Sequence, residues 1–145
     1  MKKQSTTCRG LTLIEMLVVM IIIGILAAMV IPNVAGRAED ARAAAARTDI
    51  EAHLALALDM YLMDNGVHPT TEQGLAALLK EPQTAPVPLK WKGPYLKKKM
   101  APVDPWGNPY VYECPGANNP EDYDLYSWGP DGVESDDDIT NWVEE

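Results

Sequence analysis

Hydrophobic residues run almost without interruption through residues 11–31, a stretch of 21 residues near the start of the chain. An α-helix of this length spans roughly 31 Å at about 1.5 Å per residue, which matches the hydrocarbon thickness of a bilayer. The basic residues before the stretch are Lys2, Lys3 and Arg9. Because basic residues favour the cytoplasmic side, the pattern predicts a single-pass membrane helix over residues 11–32, with the chain beyond Pro32 carried across.

One acid, Glu15, interrupts the apolar stretch, five residues after Gly10. An ionised carboxylate in hydrocarbon costs about 2.5–3.5 kcal/mol on insertion scales, so this position needs an explanation. Gly24 and Ala28 form a small-xxx-small pair, which permits close helix approach or reflects ordinary membrane-helix composition. Pro32 removes a backbone hydrogen bond and predicts a kink or local unwinding. A cleaved secretory signal is less favoured, because its apolar core runs only about 7–15 residues.

The helical pattern continues beyond the membrane stretch. Strong helix formers fill residues 39–64, and apolar residues recur there at four-residue spacing, which predicts one buried face. The members of this stripe are Ala46, Ile50, Leu54, Leu58 and Leu62, with Ala57 and Tyr61 beside them. Gly66 ends the helix, since glycine is preferred just past a helix terminus. We therefore predict one long helix, with the membrane at one end and a core at the other.

Shorter elements follow the long helix. Thr70 and Gln73 fit a capping box at the start of a short helix that Pro82 ends. The proline-rich stretch that follows is long for a loop, so we expect its aromatic residues to pack against the core. These residues are Trp91, Tyr95 and Trp106.

The last third of the chain predicts a small sheet. The sequence DPWGNP, residues 104–109, is a turn cluster. The residue pattern predicts two short strands, at residues 110–114 and 123–129, and a third strand at residues 139–143. The predicted fold is α+β, with the long helix packed on a small antiparallel sheet.

Composition excludes several classes of function. The 145 residues carry a net charge of −9, whereas a nucleic-acid partner needs a basic surface. No nucleophile–base pair, phosphate loop or catalytic zinc set is recognisable, so we predict no enzyme. Neither His53 nor His68 has a second metal ligand at a familiar spacing. Cys8 lies in the basic leader, so it and Cys114 are expected as unpaired thiols rather than as a disulfide.

The segment RGLTLIEMLVVMIIIGILAAMVIP, residues 9–32, closely resembles the leader and N-terminal helix of type IV pilins and pseudopilins. The resemblance implies that a prepilin peptidase cuts after Gly10 and methylates the new N-terminus on Leu11, where the family usually has Phe. It also implies that Glu15 pairs with the N-terminal ammonium of a neighbouring subunit, and that Gly24 and Pro32 belong to the same assembly helix. A buried ion pair of this kind fixes the alignment of neighbouring subunits more than it strengthens the binding between them. In the alternative interpretation, Glu15 lies near the headgroups or is protonated and has no partner.

Three further segments are similar to the major pseudopilin family of the type II secretion system: YLMDNGVHPTTEQGLAALL, DPWGNPYVY and YSWGPDGVESDDDITNW. The resemblance implies a cleaved cytoplasmic leader at residues 1–10, a transmembrane and assembly helix at 11–32, and a periplasmic domain at 33–145. The implied function is that of the major structural subunit of a helical periplasmic filament, which drives protein export across the outer membrane from an inner-membrane anchor.

The same resemblance implies the partners. They are further copies of this chain, the prepilin peptidase, the minor pseudopilins and the inner-membrane assembly platform. Two alternatives remain. One is a type IV pilin for adhesion or motility, which the lone Cys114 beyond the leader disfavours, because such pilins usually close a C-terminal disulfide. The other is a monomeric, membrane-tethered calcium-binding module, in which Glu15 has no partner.

Acidic residues crowd the C-terminal segment, where seven of the fifteen residues 131–145 are Asp or Glu. A hard cation would relieve this repulsion through about 6–8 oxygen ligands, although the EF-hand spacing is absent. The resemblance to major pseudopilins implies calcium, with a ligand set of the side chains of Asp131, Ser135, Asp137 and Asp138 and the backbone carbonyls of Trp128 and Val133. The alternative is a solvated acidic tail without a ligand.

Overall fold

Two α-helices with a π-helical segment between them form the first half of the chain: α1 (Leu13–Thr48), the π-helical segment (Asp49–Leu54) and α2 (Ala55–Asn65). A 3₁₀ turn (Leu75–Leu78) and three strands follow: β1 (Val111–Glu113), β2 (Asp124–Ser127) and β3 (Ile139–Thr140). This computed structural model describes residues 11–97 and 100–143, and only the backbone of residues 29–35. The chain divides into two compact units, Met1–Glu39 and Asp40–Glu145.

The strands form one antiparallel sheet in the order β1-β2-β3. Tyr112 of β1 lies opposite Leu125 of β2, and Ser127 of β2 lies opposite Ile139 of β3. The three strands predicted from the sequence are confirmed, although each is shorter than its predicted range. The hydrophobic core joins this sheet to the apolar stripe of the helices, which is the α+β arrangement predicted.

The helical stripe is buried as predicted from Ala46 to Leu58, whereas Leu62 at its end is only half-buried. The helix that carries the stripe is not regular. Ala46, Ile50, Leu54 and Leu58 are each at most 2% exposed. A four-residue step exceeds an α-helical turn of about 3.6 residues, so residues at this spacing drift around a regular helix. The wider i→i+5 turn of the π-helical segment reverses that drift. The segment Asp49–Leu54 therefore keeps the stripe facing the core.

Pro32 does not interrupt α1. The helical backbone runs continuously from Leu13 to Thr48, so the local unwinding predicted at this proline is not found in the backbone that the structure describes. The departure from α-helical geometry occurs instead in the π-helical segment.

The short helix predicted after His68 is only partly formed. Thr70 and Gln73 make the reciprocal bonds of a capping box, with the Thr70 amide donating to Gln73 Oε1 at 3.2 Å and the Gln73 amide donating to Thr70 Oγ1 at 3.3 Å. Gly74 then adopts a positive φ of 55°, a backbone conformation that residues with a side chain rarely adopt and that stops α-helical propagation. Only the 3₁₀ turn Leu75–Leu78 follows.

The long proline-rich loop packs through its aromatic residues, as predicted. Trp91, Tyr95 and Trp106 all lie against the core. The indole Nε1 of Trp91 donates to the carbonyl of Ala77 at 2.9 Å, and the ring of Tyr95 meets that of Tyr61 edge-on at 5.6 Å. These contacts replace regular secondary structure as the anchors of this loop.

The predicted membrane helix, residues 11–32, extends into residues whose side chains lie outside the described part of the chain. Among the residues that are described, no helix has both the length and the hydropathy needed to cross a membrane.

Candidate functional site: assembly segment and acidic loop

Helix α1 begins behind a threonine cap. The amide of Glu15 donates to Thr12 Oγ1 at 3.2 Å, and the amide of Met16 donates to the Thr12 carbonyl at 3.2 Å. Thr12 and Glu15 thus form the S/T-x-x-E pattern of a helix N-terminus. Thr12 was not predicted as a cap, although this pattern before an apolar run was visible in the sequence. The cap places Glu15 in the first turn, where the helix dipole favours a negative charge.

The residues after the cap present an exposed apolar surface. We call residues 11–28 the assembly segment, and every one of them is exposed. Leu13 is 85% exposed and Met20 is 72% exposed. A Cβ added at Gly24 would meet no atom within 4 Å. Contiguous apolar exposure on this scale is typical of a surface that another helix or lipid covers.

The structure describes only part of the predicted processing and assembly set. Gly10, the predicted cleavage residue, lies outside the described residues, and so does the side chain of Pro32. Leu11 and Glu15 are described and exposed. Within the described part of one copy of the chain, Glu15 has no ion-pair partner.

The residues predicted to bind a cation lie in the connection between β2 and β3, which we call the acidic loop (residues 128–138). Turns of its own backbone and side chains fold it. The Gly132 amide donates to the Trp128 carbonyl at 3.3 Å, and the Val133 amide donates to Asp131 Oδ1 at 3.1 Å. The Ser135 hydroxyl donates to Asp137 Oδ1, and the Asp138 amide donates to the Ser135 carbonyl at 3.3 Å.

The side chain of Asp138 lies in an environment that disfavours its negative charge. Its Oδ1 atom is buried and has no hydrogen-bond partner among the residues that the structure describes. Burial raises the pKa of Asp138, and the nearby charges of Asp137, Asp131 and Glu134 raise it further. A buried carboxylate oxygen near other carboxylates is the environment that a bound cation relieves.

The donor types fit calcium, but the carboxylates are not gathered around one point. In residues 11–97 and 100–143, no three Asp, Glu, His or Cys side chains are grouped so that they could hold a metal ion. The predicted set joins three carboxylates, one hydroxyl and two backbone carbonyls. All are oxygen donors, which is the chemistry that calcium prefers.

Asn141 fixes the C-terminal side of the acidic loop. Its Oδ1 accepts from the Leu125 amide at 2.9 Å, and its Nδ2 donates to the Tyr123 carbonyl at 3.0 Å. Its own amide donates to the Leu125 carbonyl at 3.1 Å. The side chain thereby extends the β2–β3 pairing by one residue. Nothing in the sequence pattern indicated this role.

A second buried acid, Asp124, organises the loop before β2. It is 1% exposed. Asp124 Oδ2 accepts from the Asn118 amide at 2.7 Å, and Asp124 Oδ1 accepts from the Asn119 amide at 3.0 Å. The side-chain amides of both asparagines also donate to this carboxylate. The asparagines therefore compensate the buried charge.

Comparisons with known proteins agree on one family. Residues 6–31 match the family described as "Prokaryotic N-terminal methylation motif". Residues 33–143 match the family described as "Type II secretion system (T2SS), protein G". Together these two matches cover almost the whole chain.

Three curated relatives carry the name "Type II secretion system core protein G". The protein of Pseudomonas aeruginosa is 53% identical over 92% of this chain and 94% of its own length. The Escherichia coli K12 protein is 48% identical, covering 92% of this chain and 90% of its own. The Vibrio cholerae protein is 46% identical, covering 98% and 94%.

A solved structure gives the same result for the fold. It is the crystal structure of the major pseudopilin from the type 2 secretion system of enterohaemorrhagic Escherichia coli, with a TM-score of 0.65 and 40% identity over 74% of this chain and 87% of that one. The predicted pilin-like fold and major pseudopilin resemblance are therefore confirmed. The chain belongs to the type II secretion system protein G family, the major pseudopilins, and is a structural subunit of the pseudopilus.

Proposed function

We propose that the mature chain, residues 11–145, polymerises into the helical pseudopilus filament and that addition of subunits pushes exported proteins across the outer membrane. The observation that carries this proposal is the assembly segment: an exposed apolar surface with one acid, Glu15, inside a matched N-terminal methylation motif. Lipid would cover this surface before assembly and neighbouring helices would cover it afterwards.

Processing would create an ion-pair partner for Glu15 on a neighbouring subunit. A cut after Gly10 leaves an ammonium group on Leu11, which the prepilin peptidase then methylates. A neighbouring helix at a suitable stagger brings its own Leu11 ammonium to Glu15. Such a buried pair adds little net stability, but either charge alone would be expensive in apolar surroundings, so the pair selects the stagger.

The proposed location is the inner membrane, with residues 33–145 in the periplasm. The basic residues of the leader support this orientation, because they favour the cytoplasmic side. The filament would extend from an inner-membrane assembly platform and would carry the minor pseudopilins. In this scheme the chain is the substrate of the peptidase and catalyses no reaction itself.

Calcium is the proposed ligand of the acidic loop. The ion would be held by the carboxylates of Asp131, Asp137 and Asp138, the Ser135 hydroxyl, and the carbonyls of Trp128 and Val133. It would supply positive charge to a loop that is otherwise self-repelling. The Oδ1 of Asp138, which has no hydrogen-bond partner within the described residues, supports the proposal. The raised pKa of that carboxyl, caused mainly by burial, supports it as well. An ordered loop would then present a fixed surface to the next subunit.

The two alternative functions are less well supported. An adhesion or motility pilin is disfavoured by membership of the protein G family, and within the described residues Cys114 is a free thiol. A monomeric calcium-binding tether would leave the assembly segment without helical neighbours and Glu15 without a counter-charge.

Mass spectrometry of the N-terminus tests the proposal at its first step. In cells with an active prepilin peptidase, the chain should begin at an N-methylated Leu11. Gly10→Leu should block the cut, because a bulky residue replaces the glycine of the motif, whereas the control Gly36→Leu should be processed normally. An intact leader on the wild-type chain in those cells would refute the proposal.

A further inference from the structure

We infer that Asp104, in the DPWGNP turn, is a positioning residue that fixes the start of the acidic loop. The inference deepens the proposed function, since it rests on the acidic loop being the cation-binding part of the chain. The sequence indicated this motif only as a turn. The structure connects it to the acidic loop through a chain of hydrogen bonds.

Asp104 is a buried carboxylate, only 4% exposed. Its Oδ1 accepts from the Trp106 amide at 3.0 Å and from the Asn108 amide at 2.8 Å, which holds the turn. Its Oδ2 faces the other way and accepts from the Ser127 hydroxyl at 2.6 Å. Ser127 is the last residue of β2 and is fully buried. One carboxylate thus joins the turn to the end of the strand.

Ser127 passes this connection on to the acidic loop. Its Oγ accepts from the Gly129 amide at 3.1 Å. The carbonyl of Gly129 accepts from Asn108 Nδ2, a residue of the same turn, at 3.2 Å. Both backbone polar groups of Gly129 are therefore held by the network that Asp104 organises.

Gly129 is also the point where the start of the loop meets its acidic part. It has a φ of +63°. A Cβ at this position would lie 3.0 Å from the Asp137 carbonyl and 3.3 Å from Asp137 Oδ2. Gly129 and the proposed ligand Asp137 therefore lie close together, and a shift of Gly129 would change the position of Asp137.

The charge of Asp104 matters because the serine hydroxyl can donate only one hydrogen. While Asp104 Oδ2 accepts that hydrogen, the lone pairs of Ser127 Oγ face the Gly129 amide. In Asp104→Asn, an amide nitrogen can take the place of Oδ2, and it would donate to Ser127 instead of accepting. A hydrogen bond to a charged group is stronger than one to a neutral amide, so losing it should let the Gly129 amide open more often.

Asp124 provides a matched control. It is buried to the same degree and also accepts backbone amides, but its partners, Asn118 and Asn119, lie in the loop before β2. Asp124→Asn makes the same chemical change without touching Ser127 or Gly129. It should destabilise the fold while leaving the start of the acidic loop in place.

The test is amide hydrogen exchange on the full chain in detergent micelles, measured by NMR well below the melting temperature and with calcium chelated. Asp104→Asn should accelerate exchange of the Gly129 amide by about tenfold or more. The milder variant Ser127→Ala should do the same if Asp104→Asn does not fold. Asp124→Asn should accelerate exchange at Asn118 and Asn119 and leave Gly129 at the wild-type rate. Wild-type exchange at Gly129 in both Asp104→Asn and Ser127→Ala would overturn the inference.

Calcium titration of the same variants separates this inference from the proposed function. We expect Asp104→Asn to bind calcium about tenfold more weakly than wild type, and Asp124→Asn to bind it equally well. If the wild-type chain binds no calcium but Asp104→Asn still frees Gly129, the calcium proposal is wrong and the positioning role stands. If calcium binds all three proteins equally and Gly129 exchange does not change, the positioning role is wrong.

Discussion

Tyr110 donates its hydroxyl hydrogen to Asp49 Oδ2 at 3.1 Å, which ties the residue before β1 to the π-helical segment. The other oxygen of Asp49 bonds His53 Nδ1 at 2.7 Å. Burial raises the pKa of Tyr110, and the charge of Asp49 raises it further. The chain has six tyrosines and no phenylalanine, so its buried aromatic residues can bring hydroxyl groups as well as apolar area into the core.

Removing this hydroxyl should weaken the junction between helix and sheet. We expect Tyr110→Phe to lower the free energy of unfolding by about 1 kcal/mol, the usual net contribution of one hydrogen bond. Tyr126→Phe is the control, because the half-buried Tyr126 packs against Trp128 and Trp142 and its hydroxyl makes no hydrogen bond among the described residues. Urea denaturation of both variants measures the difference. Equal stabilities would mean that the Tyr110–Asp49 bond contributes nothing.

The buried tyrosines should make the protein sensitive to alkali. Burial raises the pKa of Tyr123 from 10.0 to about 12, and it also raises the pKa of Tyr112. The folded state therefore retains protons that the unfolded state loses, and this stability is present below about pH 10 and is lost as pH rises through the folded pKa. Melting temperatures between pH 9 and 12 should fall, and Tyr123→Phe should flatten the fall. An unchanged slope in Tyr123→Phe would contradict the assignment.

Gly116 should tolerate no side chain, because it lies against the buried Asp124. A Cβ at Gly116 would clash with Asp124 Oδ1 and would lie 2.8 Å from the Asp124 amide nitrogen. Gly116→Ala should therefore destabilise the fold by about 1–3 kcal/mol through overpacking. Gly36→Ala is the matched control, since nothing lies within 4 Å of its Cβ position and alanine favours a helix. A Gly116→Ala variant as stable as wild type would show that this loop can move aside.

Calcium should raise the melting temperature of the full chain in detergent relative to chelator. Binding only the folded state stabilises by about 2.7 kcal/mol when calcium is in hundredfold excess over Kd. Magnesium should substitute poorly, because it prefers compact octahedral coordination. Asp131→Ala or Asp137→Ala should abolish the shift, whereas Glu144→Ala and Glu72→Ala should keep it. Identical melting in calcium and chelator would leave a solvated acidic loop as the better interpretation.

Asp138 should make the proposed calcium site sensitive to pH. Burial raises the pKa of its carboxyl, so protons compete for this ligand at a higher pH than for an ordinary aspartate. Acidification should therefore weaken calcium affinity at a higher pH than it would for a site of ordinary aspartates, and Asp138→Asn should bind more weakly with a flatter pH profile. Isothermal titration at several pH values measures both effects.

The parts of the fold that depend on local periodicity could be predicted from the sequence. Burial of Ile50, Leu54 and Leu58 follows from their spacing, and the three strands follow from alternation between turn residues. The π-helical segment could not be predicted, because it depends on keeping that stripe against a sheet formed much later in the chain. The 3₁₀ turn was missed because Gly74 takes a positive φ after a capping box typical of an α-helix.

The candidate sites were also predictable only in part. Glu15 could be recognised in the sequence because it is the one acid in an apolar run, and the acidic loop because many acids lie close together along the chain. Asp104, Asp124 and Asn141 do not stand out, because their roles depend on partners brought together by folding, such as Ser127 for Asp104. Thr12 is different, since its pattern with Glu15 was visible in the sequence.

The most direct test of the central claim is filament yield from Glu15→Ala in cells with an active prepilin peptidase, measured by electron microscopy of sheared filaments. Glu15→Ala should be processed and inserted at least as well as wild type, because it removes a charge that is costly in the membrane. It should nevertheless form few or no filaments, because the Leu11 ammonium of the next subunit would lose its counter-charge. Asp40→Ala, which removes an exposed acid elsewhere on the same helix, should assemble normally. A wild-type filament yield from Glu15→Ala would contradict the pairing role on which the proposed assembly depends.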